Sequence, residues 1–225
     1  MQRQLIITKD GSHTISIPGM NVTYHSHHGA IQESRHVYIN AGFNYLLDTM
    51  KIPTIHIFEV GFGTGLNALL SLIEAEKQQQ AVHYTTIELH PLNEPELNSL
   101  NYIEQLKRTD LLPAFQRLHL CEWEKDVRVT PFFTIHKINN SLLNFNTPPL
   151  QNLVYFDSFA PAAQPEHWTT GVFENLFSIL SPGGILVTYC SKSIVRKSMQ
   201  AAGFLVTKIP GPQGKREMVR AIRKS

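Results

Sequence analysis

The chain has 225 residues, of which 42% are hydrophobic and 17% are charged, and its formal net charge is +2. This length allows one large or two small domains with a full core, and the composition is typical of a soluble globular protein. No apolar run approaches the roughly 18 residues that span a bilayer, and no signal-peptide core opens the sequence, so we expect a cytoplasmic protein without a membrane span. The two cysteines are far apart in sequence, which argues against a disulfide framework or a cysteine-based zinc site.

The first fifty residues are predicted to be an extension packed on the main domain, which we place at residues 51–225. Two alternating segments, residues 3–8 and 13–17, flank the pair Asp10-Gly11. An Asp-Gly pair between such segments is a hairpin signal. The sequence therefore predicts a small β-ribbon ahead of the main domain.

A histidine-rich loop and a helix are predicted to follow this ribbon. Histidines are concentrated at His25–His28 and recur at His36, but they lack the spacing of a metal site, so we predict a solvated loop and no metal. Whether the loop contacts RNA is left open by the sequence. Apolar spacing from residue 30 to about 50 predicts a helix, with Gly42 as a potential break.

From residue 51 onward, apolar strands alternate with helices, which indicates a parallel α/β sheet with right-handed crossovers. The predicted strands are 55–60, 82–87, 132–138 (within the stretch 128–139), 152–157, 185–189, 204–209 and 217–222, and the main helices are 64–77, 168–180 and 192–202. The last two strands are predicted to form a hairpin. We expect a mostly parallel seven-stranded sheet with an antiparallel last strand and with ligands at the carboxyl ends of its strands.

The loop after the first of these strands, residues 59–67, is the most informative stretch. Its glycines allow the backbone to turn sharply and to approach a ligand without a Cβ. The spacing is G-x-G-x-G, and Leu66 stands where a dinucleotide loop has its third glycine, so an NAD enzyme is a distant alternative. With Glu59 ahead of the glycines, the loop resembles the S-adenosylmethionine (SAM) loop of class I methyltransferases, in which an acid suits the ammonium group of SAM.

Two further acids are predicted at the ends of strands. Glu88 ends the second strand, where a carboxylate can accept hydrogen bonds from both ribose hydroxyls. Asp157 ends the fourth strand, beside the methyl donor in this architecture, although a loop cap is an alternative role. The predicted cofactor-binding residues are Glu59, Gly61, Phe62, Gly63, Gly65, Asn67, Glu88 and Asp157.

Several separated motifs resemble the MnmC/MnmD tRNA-modifying methyltransferases. They are Glu33-Ser-Arg35, Glu59-Val-Gly-Phe-Gly-Thr-Gly-Leu-Asn67, Asp157-Ser-Phe-Ala-Pro161 with Trp168-Thr169, Pro182-Gly-Gly184 and Gly214-Lys-Arg-Glu-Met218. The resemblance extends from about Gly29 to near the C-terminus. It implies a Rossmann-like class I methyltransferase fold, SAM as the cofactor, and methylation of the amine of 5-aminomethyl-(2-thio)uridine at wobble position 34 of tRNA. Two-domain members carry a fused FAD-dependent oxidase, and we expect this chain to be the stand-alone form without FAD.

The resemblance also implies roles for individual residues. Asp157 is the predicted catalytic residue, which orients the substrate amine. The predicted substrate-binding residues are Glu33, Arg35, Phe159, Pro161, Trp168, Lys215 and Arg216. Phe159 and Trp168 are candidates for a slot that stacks on the wobble base of the anticodon loop, with core packing as the alternative.

Charge supports an anionic partner, although solvated surface residues are an equally good explanation. From Lys192 to the end there are nine Lys or Arg residues and a single acid, Glu217. Lys215 and Arg216 are predicted to hold the anticodon backbone.

One departure from the family concerns the adenine end of the cofactor: His136-Lys137 stands where the family has Gly-Asp.

Two other functions compete with tRNA methylation. The first is methylation of a small-molecule amine or hydroxyl on the same fold, since the fold does not fix the substrate. The second is a non-enzymatic SAM-sensing or RNA-binding module. Salt-independent activity on a small amine would identify the first, and tight SAM binding without methyl transfer to RNA would identify the second.

Overall fold

The computed structural model describes residues 2–144 and 150–224, which contain eleven strands in two sheets. The strands are β1 (Gln4–Ile7), β2 (His13–Ile17), β3 (Val22–Thr23), β4 (Thr54–Val60), β5 (Ala81–Ile87), β6 (Asp126–Thr130), β7 (Phe133–Ile138), β8 (Gln151–Phe156), β9 (Leu180–Thr188), β10 (Leu205–Pro210) and β11 (Glu217–Ile222). The small sheet has the order β1-β2-β3, and the large sheet has the order β10-β11-β9-β8-β4-β5-β7-β6. The predicted N-terminal hairpin is thus confirmed, with β1 antiparallel to β2.

The large sheet confirms the predicted α/β class but has eight strands rather than seven. Its centre is parallel, since β4 pairs in parallel with β5 and β8, while β11 lies antiparallel between β9 and β10. The additional strand is β6, which was not predicted, whereas the third predicted strand, residues 132–138, corresponds to β7. Pro131 and Phe132 form a turn between them, so that β6 folds back antiparallel onto β7 at the edge of the sheet.

The described residues also contain eight α-helices. They are α1 (Ala30–Ser34), α2 (Tyr45–Thr49), α3 (Leu66–Gln78), α4 (Glu94–Asn98), α5 (Tyr102–Gln105), α6 (Leu112–Leu120), α7 (Thr170–Ile179) and α8 (Ser193–Ala201), and a π-helical segment (Arg35–Asn44) joins α1 to α2. In the part of the chain that the structure describes, no helix is long and apolar enough to cross a membrane.

The helices cover both faces of the large sheet, as the alternation of its side chains requires. Ile57 of β4 belongs to the core beneath α1–α3, whereas its neighbour Phe58 packs in a second core against α7 and α8. The extension therefore shares a core with the sheet, and a domain boundary at residue 50 remains a prediction.

Gly42 does not break the helical segment at residues 30–49, contrary to one reading of the sequence. A Cβ at this position would lie 3.1 Å from the side chains of both Tyr155 and Val187. The glycine instead allows the helix to approach the sheet closely. This approach places the helix beside the ends of β8 and β9, where the predicted site residues lie.

Candidate functional site

A cavity of about 320 Å³ opens at the carboxyl ends of β4, β5 and β8. It is the position at which open α/β sheets bind ligands. The predicted site residues that line it are Gly61, Phe62, Gly63, Asn67, Glu88, Asp157 and Phe159. The structure therefore brings together the glycine loop, the acid after β5 and the acid after β8.

The glycine loop forms the floor of this cavity in a conformation that side chains rarely adopt. Gly63 has a φ of +51° and Gly65 a φ of +70°. A Cβ at Gly63 would lie 2.8 Å from the ring of Tyr24, and one at Gly65 would lie 2.5 Å from Nε2 of His119. Both conformation and space therefore require glycine in the loop.

Glu88 accepts one hydrogen bond from the glycine loop and one from the residues that follow it. The backbone N–H of Gly63 donates to its Oε2 at 3.0 Å, and the backbone N–H of His90 donates to its Oε1 at 2.7 Å. The carboxylate is half-buried on the cavity wall. The carboxylate retains lone pairs that can accept further hydrogen bonds, and its contact to the ribose hydroxyls of SAM stays a prediction.

Glu59 lies behind the cavity wall rather than on it. Its side chain is fully buried, and it accepts hydrogen bonds from Thr86 Oγ1 at 2.8 Å and from Asn67 Nδ2 at 3.1 Å. Burial raises the pKa of Glu59 to about 8. The sequence predicted a direct contact from Glu59 to the ammonium group of SAM. This contact stays a prediction, and the buried position of the Glu59 side chain does not favour it.

Asn67 occupies the place on the wall that was expected for Glu59. Its Nδ2 also donates to Asp157 Oδ2 at 2.9 Å. Its Oδ1 is buried without a hydrogen bond among the described residues, although Asn67 lines the cavity. A buried acceptor of this kind is costly unless a ligand donates to it, and an ammonium group is a suitable donor.

Asp157 presents a half-buried carboxyl group at the end of β8. Burial raises the pKa of Asp157 to about 6, and the nearby Glu33 also raises it, while Asn67 and Lys215 act in the opposite direction. The buried hydroxyl of Tyr38 lies beside the carboxyl group and lowers its pKa, although it is outside hydrogen-bonding geometry. Perturbed carboxyl groups in clefts are typical of functional sites.

Glu33 and Lys215, which come from two of the family motifs, form an ion pair beside Asp157. Glu33 is 5% exposed, and its Oε1 accepts a hydrogen bond from Lys215 Nζ. The ammonium group also lies 4.0 Å from the ring centre of Tyr189. That Lys215 holds the anticodon backbone stays a prediction, which this geometry does not favour because the ammonium group already has Glu33 as its partner.

The aromatic residues after β8 have separate roles. Phe159 lines the cavity and packs edge-to-face on Tyr24, with ring centres 5.3 Å apart. Trp168 is 4% exposed, packs on Phe156, and donates from Nε1 to the carbonyl of Phe159 at 2.8 Å. Core packing thus describes Trp168, which does not offer a stacking face to the cavity, while Phe159 remains a candidate for the slot.

The remaining predicted substrate residues lie outside the cavity. Pro161 is half-buried at the start of a turn, and Arg35 and Arg216 are exposed on the surface. That these three residues contact the substrate stays a prediction, and such contacts would lie on the surface outside the cavity.

Lys137 stands where an acid beside the adenine of the cofactor was expected, and its role there stays a prediction. Lys137 is fully buried, donates from Nζ to the carbonyl of His119, and lies 4.5 Å from the ring centre of Trp123. Burial lowers the pKa of this ammonium group. At this edge the cavity is instead lined by Asn140 and Leu142, which sequence reasoning did not single out.

The histidine-rich loop is only partly the solvated loop that was predicted. His25 is 8% exposed, lines the cavity, and has Nδ1 3.1 Å from Thr14 Oγ1, whereas His27 is exposed. Burial lowers the pKa of His25 to about 4, so this ring is neutral at pH 7. Within residues 2–144 and 150–224, no group of three or more His, Cys, Asp or Glu side chains is arranged to hold a metal ion.

Comparison with known proteins assigns the class of protein. Residues 91–224 match the family described as S-adenosyl-L-methionine-dependent methyltransferase, and the chain belongs to this family. The cofactor fits the site, which offers a glycine cradle, a carboxylate after β5 and an unpaired buried acceptor on Asn67.

Individual curated relatives show which members of this class the chain is similar to. The chain is 32% identical over 216 residues to the tRNA 5-methylaminomethyl-2-thiouridine biosynthesis bifunctional protein MnmC of Ectopseudomonas mendocina, covering 87% of this chain and 31% of the relative. The protein of the same name from Leptospira borgpetersenii is 30% identical over 212 residues, with coverage of 87% and 31%. The chain thus spans about a third of the length of these curated relatives.

Solved structures confirm the fold. MNMC2 from Aquifex aeolicus superposes with a TM-score of 0.77 at 24% identity, covering 100% of this chain and 71% of that one. Spermidine synthase from Thermotoga maritima gives a TM-score of 0.55 at 10% identity, with coverage of 98% and 69%. Two differently named enzymes share the fold, so the fold alone does not select a substrate.

Proposed function

We propose that this chain transfers a methyl group from SAM to the amine of 5-aminomethyl-(2-thio)uridine at the wobble position of tRNA. The product is 5-methylaminomethyl-(2-thio)uridine. The observation that carries this proposal is the carboxyl group of Asp157 on the cavity wall beside the glycine loop. The names of the curated relatives, which refer to 5-methylaminomethyl-2-thiouridine biosynthesis in tRNA, support the choice of substrate.

When bound, SAM supplies an electrophilic methyl group on a positively charged sulfur. The glycine loop and Glu88 would hold its nucleoside part, and the free Oδ1 of Asn67 would accept from its ammonium group. Asp157 is held by Asn67 Nδ2 at 2.9 Å, so the same side chain would place the donor and the carboxyl group relative to each other. Such positioning is a large part of catalysis in a two-substrate reaction.

Asp157 would act on the substrate amine. An alkyl amine is mostly protonated near neutral pH, as lysine is, and only its neutral form is a nucleophile. With a pKa of about 6, Asp157 is mainly ionised at pH 7 and can accept a hydrogen bond from the amine. It would orient the amine and stabilise the positive charge that develops on nitrogen, while the proton passes to water.

The rest of the substrate would lie on the rim and surface of the cavity. Bases of a single-stranded loop can be splayed out and stacked on aromatic side chains, and Phe159 offers such a face. Arg35 and Arg216 are exposed cations available to the anticodon backbone. Binding through phosphates weakens steeply as salt rises.

The substrate class is tested by offering labelled SAM to two sets of acceptors. One set is tRNA from a strain that lacks this methylation, and the other is a panel of free alkyl amines and hydroxyl compounds. We expect label in the acid-precipitable tRNA and a rate that falls as salt rises. Salt-independent methylation of a free amine, with no label in tRNA, would favour the small-molecule alternative.

A further inference from the structure

Glu33 and Lys215 lie 182 positions apart in the chain, yet they form a partly buried ion pair. Glu33 belongs to α1, and its Oε2 also accepts a hydrogen bond from the backbone N–H of Ser26 at 2.7 Å. Lys215 belongs to the loop between β10 and β11. The ion pair therefore joins the N-terminal extension to the last hairpin of the sheet.

The loop that carries Lys215 is fitted closely to the extension. Gly214 has a φ of +86°, and a Cβ at this position would overlap the ring of His28. Only glycine meets both the conformation and the space, so the loop presents Lys215 in a fixed direction. The side chain of Lys215 is half-buried, at 31% exposed, and its ammonium group is directed at Glu33, whose side chain alone is 7% exposed.

Contacts continue from Lys215 to the residue that follows Asp157. The ammonium group lies 4.0 Å from the ring centre of Tyr189, a cation–π contact. The hydroxyl of Tyr189 donates to the backbone carbonyl of Ser158 at 2.8 Å. A continuous path of contacts thus leads from Glu33 to the backbone of the turn that carries Asp157.

An ion pair with one buried and one half-buried partner is poorly explained as a device for stability alone. Desolvation of two charges offsets much of their attraction, while removal of one partner leaves the other charge buried and unpaired. The charges also act directly on the site, because Lys215 lowers the pKa of Asp157 and Glu33 raises it. The pair is consequently suited to fix the position and the electrostatic surroundings of Asp157.

We propose that Glu33 and Lys215 are positioning residues, which hold the Asp157–Ser158 turn in place for methyl transfer through Tyr189, and that neither residue binds tRNA phosphate. This inference rests on the proposed function, because the turnover it concerns is methyl transfer to tRNA. It assigns Glu33 and Lys215 a role within the protein rather than in contact with tRNA.

A first experiment tests the position of the turn without any substrate. Amide hydrogen exchange of residues 156–160 is compared in the wild type, Lys215→Met and Lys77→Met. Lys77→Met is the matched control, because Lys77 makes a surface ion pair with Glu74 at 3.2 Å at the far end of α3. We expect exchange to rise at least about tenfold in Lys215→Met only, and unchanged exchange there would overturn the inference.

A second experiment separates positioning from RNA binding. In Lys215→Met and Glu33→Gln we expect kcat to fall about 10- to 100-fold, with the KM for tRNA and its salt dependence unchanged. Lys215→Arg, which keeps the charge and the cation–π contact, should recover most of this loss. A higher KM for tRNA with a shallower salt dependence, at unchanged kcat, would instead identify Lys215 as a phosphate contact.

Tyr189→Phe keeps the inference testable if the charge variants do not fold. It retains the ring beneath Lys215 and removes only the hydrogen bond to the Ser158 carbonyl. We expect faster exchange of residues 156–160 and a lower kcat, and wild-type values for both would contradict the proposed path.

Absence of any wild-type activity on tRNA would refute the proposed function, whereas the exchange comparison would still decide the inference.

Discussion

Asn67 donates a hydrogen bond from Nδ2 to Oδ2 of Asp157 at 2.9 Å, and this contact joins the start of α3 to the turn after β8. The same nitrogen lies 3.1 Å from Oε1 of Glu59. One amide group thus lies between two carboxyl groups, of which only Asp157 lines the cavity. Under the proposed function, Asp157 acts on the substrate amine and Glu59 supports the cavity wall.

The role of Asp157 predicts the behaviour of Asp157→Asn. The amide keeps the shape of the side chain and an acceptor for Asn67, but it has no charge with which to stabilise the developing cation. We expect kcat to fall by about 10²- to 10⁴-fold, while the dissociation constant for SAM changes little. Single-turnover methyl transfer and calorimetric titration with SAM measure the two effects, and an unchanged rate would remove Asp157 from the mechanism.

The burial of Glu59 predicts a pH dependence of stability. Its pKa is raised to about 8 in the folded protein, from an ordinary value of 4.5. Between these two pH values the folded state holds a proton that the unfolded state has lost. The stabilisation from this buried, protonated carboxyl group is therefore complete below pH 4.5 and is lost as pH rises through about 8.

Glu59→Gln imitates the protonated form and should lack this dependence. Urea unfolding of both proteins at pH 5, 6.5 and 8 should show that the free energy of unfolding of the wild type falls relative to the variant as pH rises. Since other groups titrate alike in both proteins, a parallel pH dependence would mean that the Glu59 carboxyl group has an ordinary pKa.

The geometry of Gly65 predicts a cost for any side chain there. Gly65→Ala should lower the free energy of unfolding by about 1–2 kcal/mol through its positive φ alone, and it should also weaken SAM binding because the methyl group meets His119. Gly171→Ala is the control, since a Cβ at Gly171 has no heavy atom within 4 Å. Equal effects of the two substitutions on SAM binding would contradict the account of the loop.

The different burial of Trp168 and Phe159 predicts different phenotypes. Trp168→Ala should lower the free energy of unfolding by about 3–5 kcal/mol, because it empties a space in the core beside Phe156. Phe159→Ala should leave stability nearly intact and raise the KM for tRNA. Denaturant unfolding and steady-state kinetics measure the two effects. A raised KM for tRNA in Trp168→Ala with nearly intact stability would instead indicate that Trp168 contacts the substrate.

Exposure of Arg216 predicts a weak and salt-dependent effect. Arg216→Ala should raise the KM for tRNA and reduce the slope of log KM against log salt by about 1, with kcat unchanged. Lys77→Met is again the control, as a cation lost far from the cavity. An unchanged slope in Arg216→Ala would show that this guanidinium group does not contact phosphate.

The position of the site followed from the sequence because it depends on backbone topology. Glu88 and Asp157 come directly after strands, and the carboxyl ends of neighbouring parallel strands meet at one edge of a sheet. The spacing of the glycines likewise reports backbone conformation, which is a local property. These features required no knowledge of how side chains pack.

The direction of side chains in loops did not follow from the sequence. Lys215 was expected to face RNA, and Trp168 was expected either in the substrate slot or in the core. Both directions depend on packing partners, namely Glu33 for Lys215 and Phe156 for Trp168. Tyr38 fitted the apolar spacing of a helix, so its hydroxyl beside Asp157 gave no signal. Tertiary contacts of this kind are invisible to spacing and composition.

The most direct test of the central claim is to identify the nucleoside that receives the methyl group. The protein is incubated with labelled SAM and tRNA from a strain that lacks this activity, and the tRNA is then digested to nucleosides and separated. We predict that the label is recovered in 5-methylaminomethyl-(2-thio)uridine with the wild type and is strongly reduced with Asp157→Asn. Absence of label from every nucleoside, while the protein still binds SAM, would contradict the proposed function.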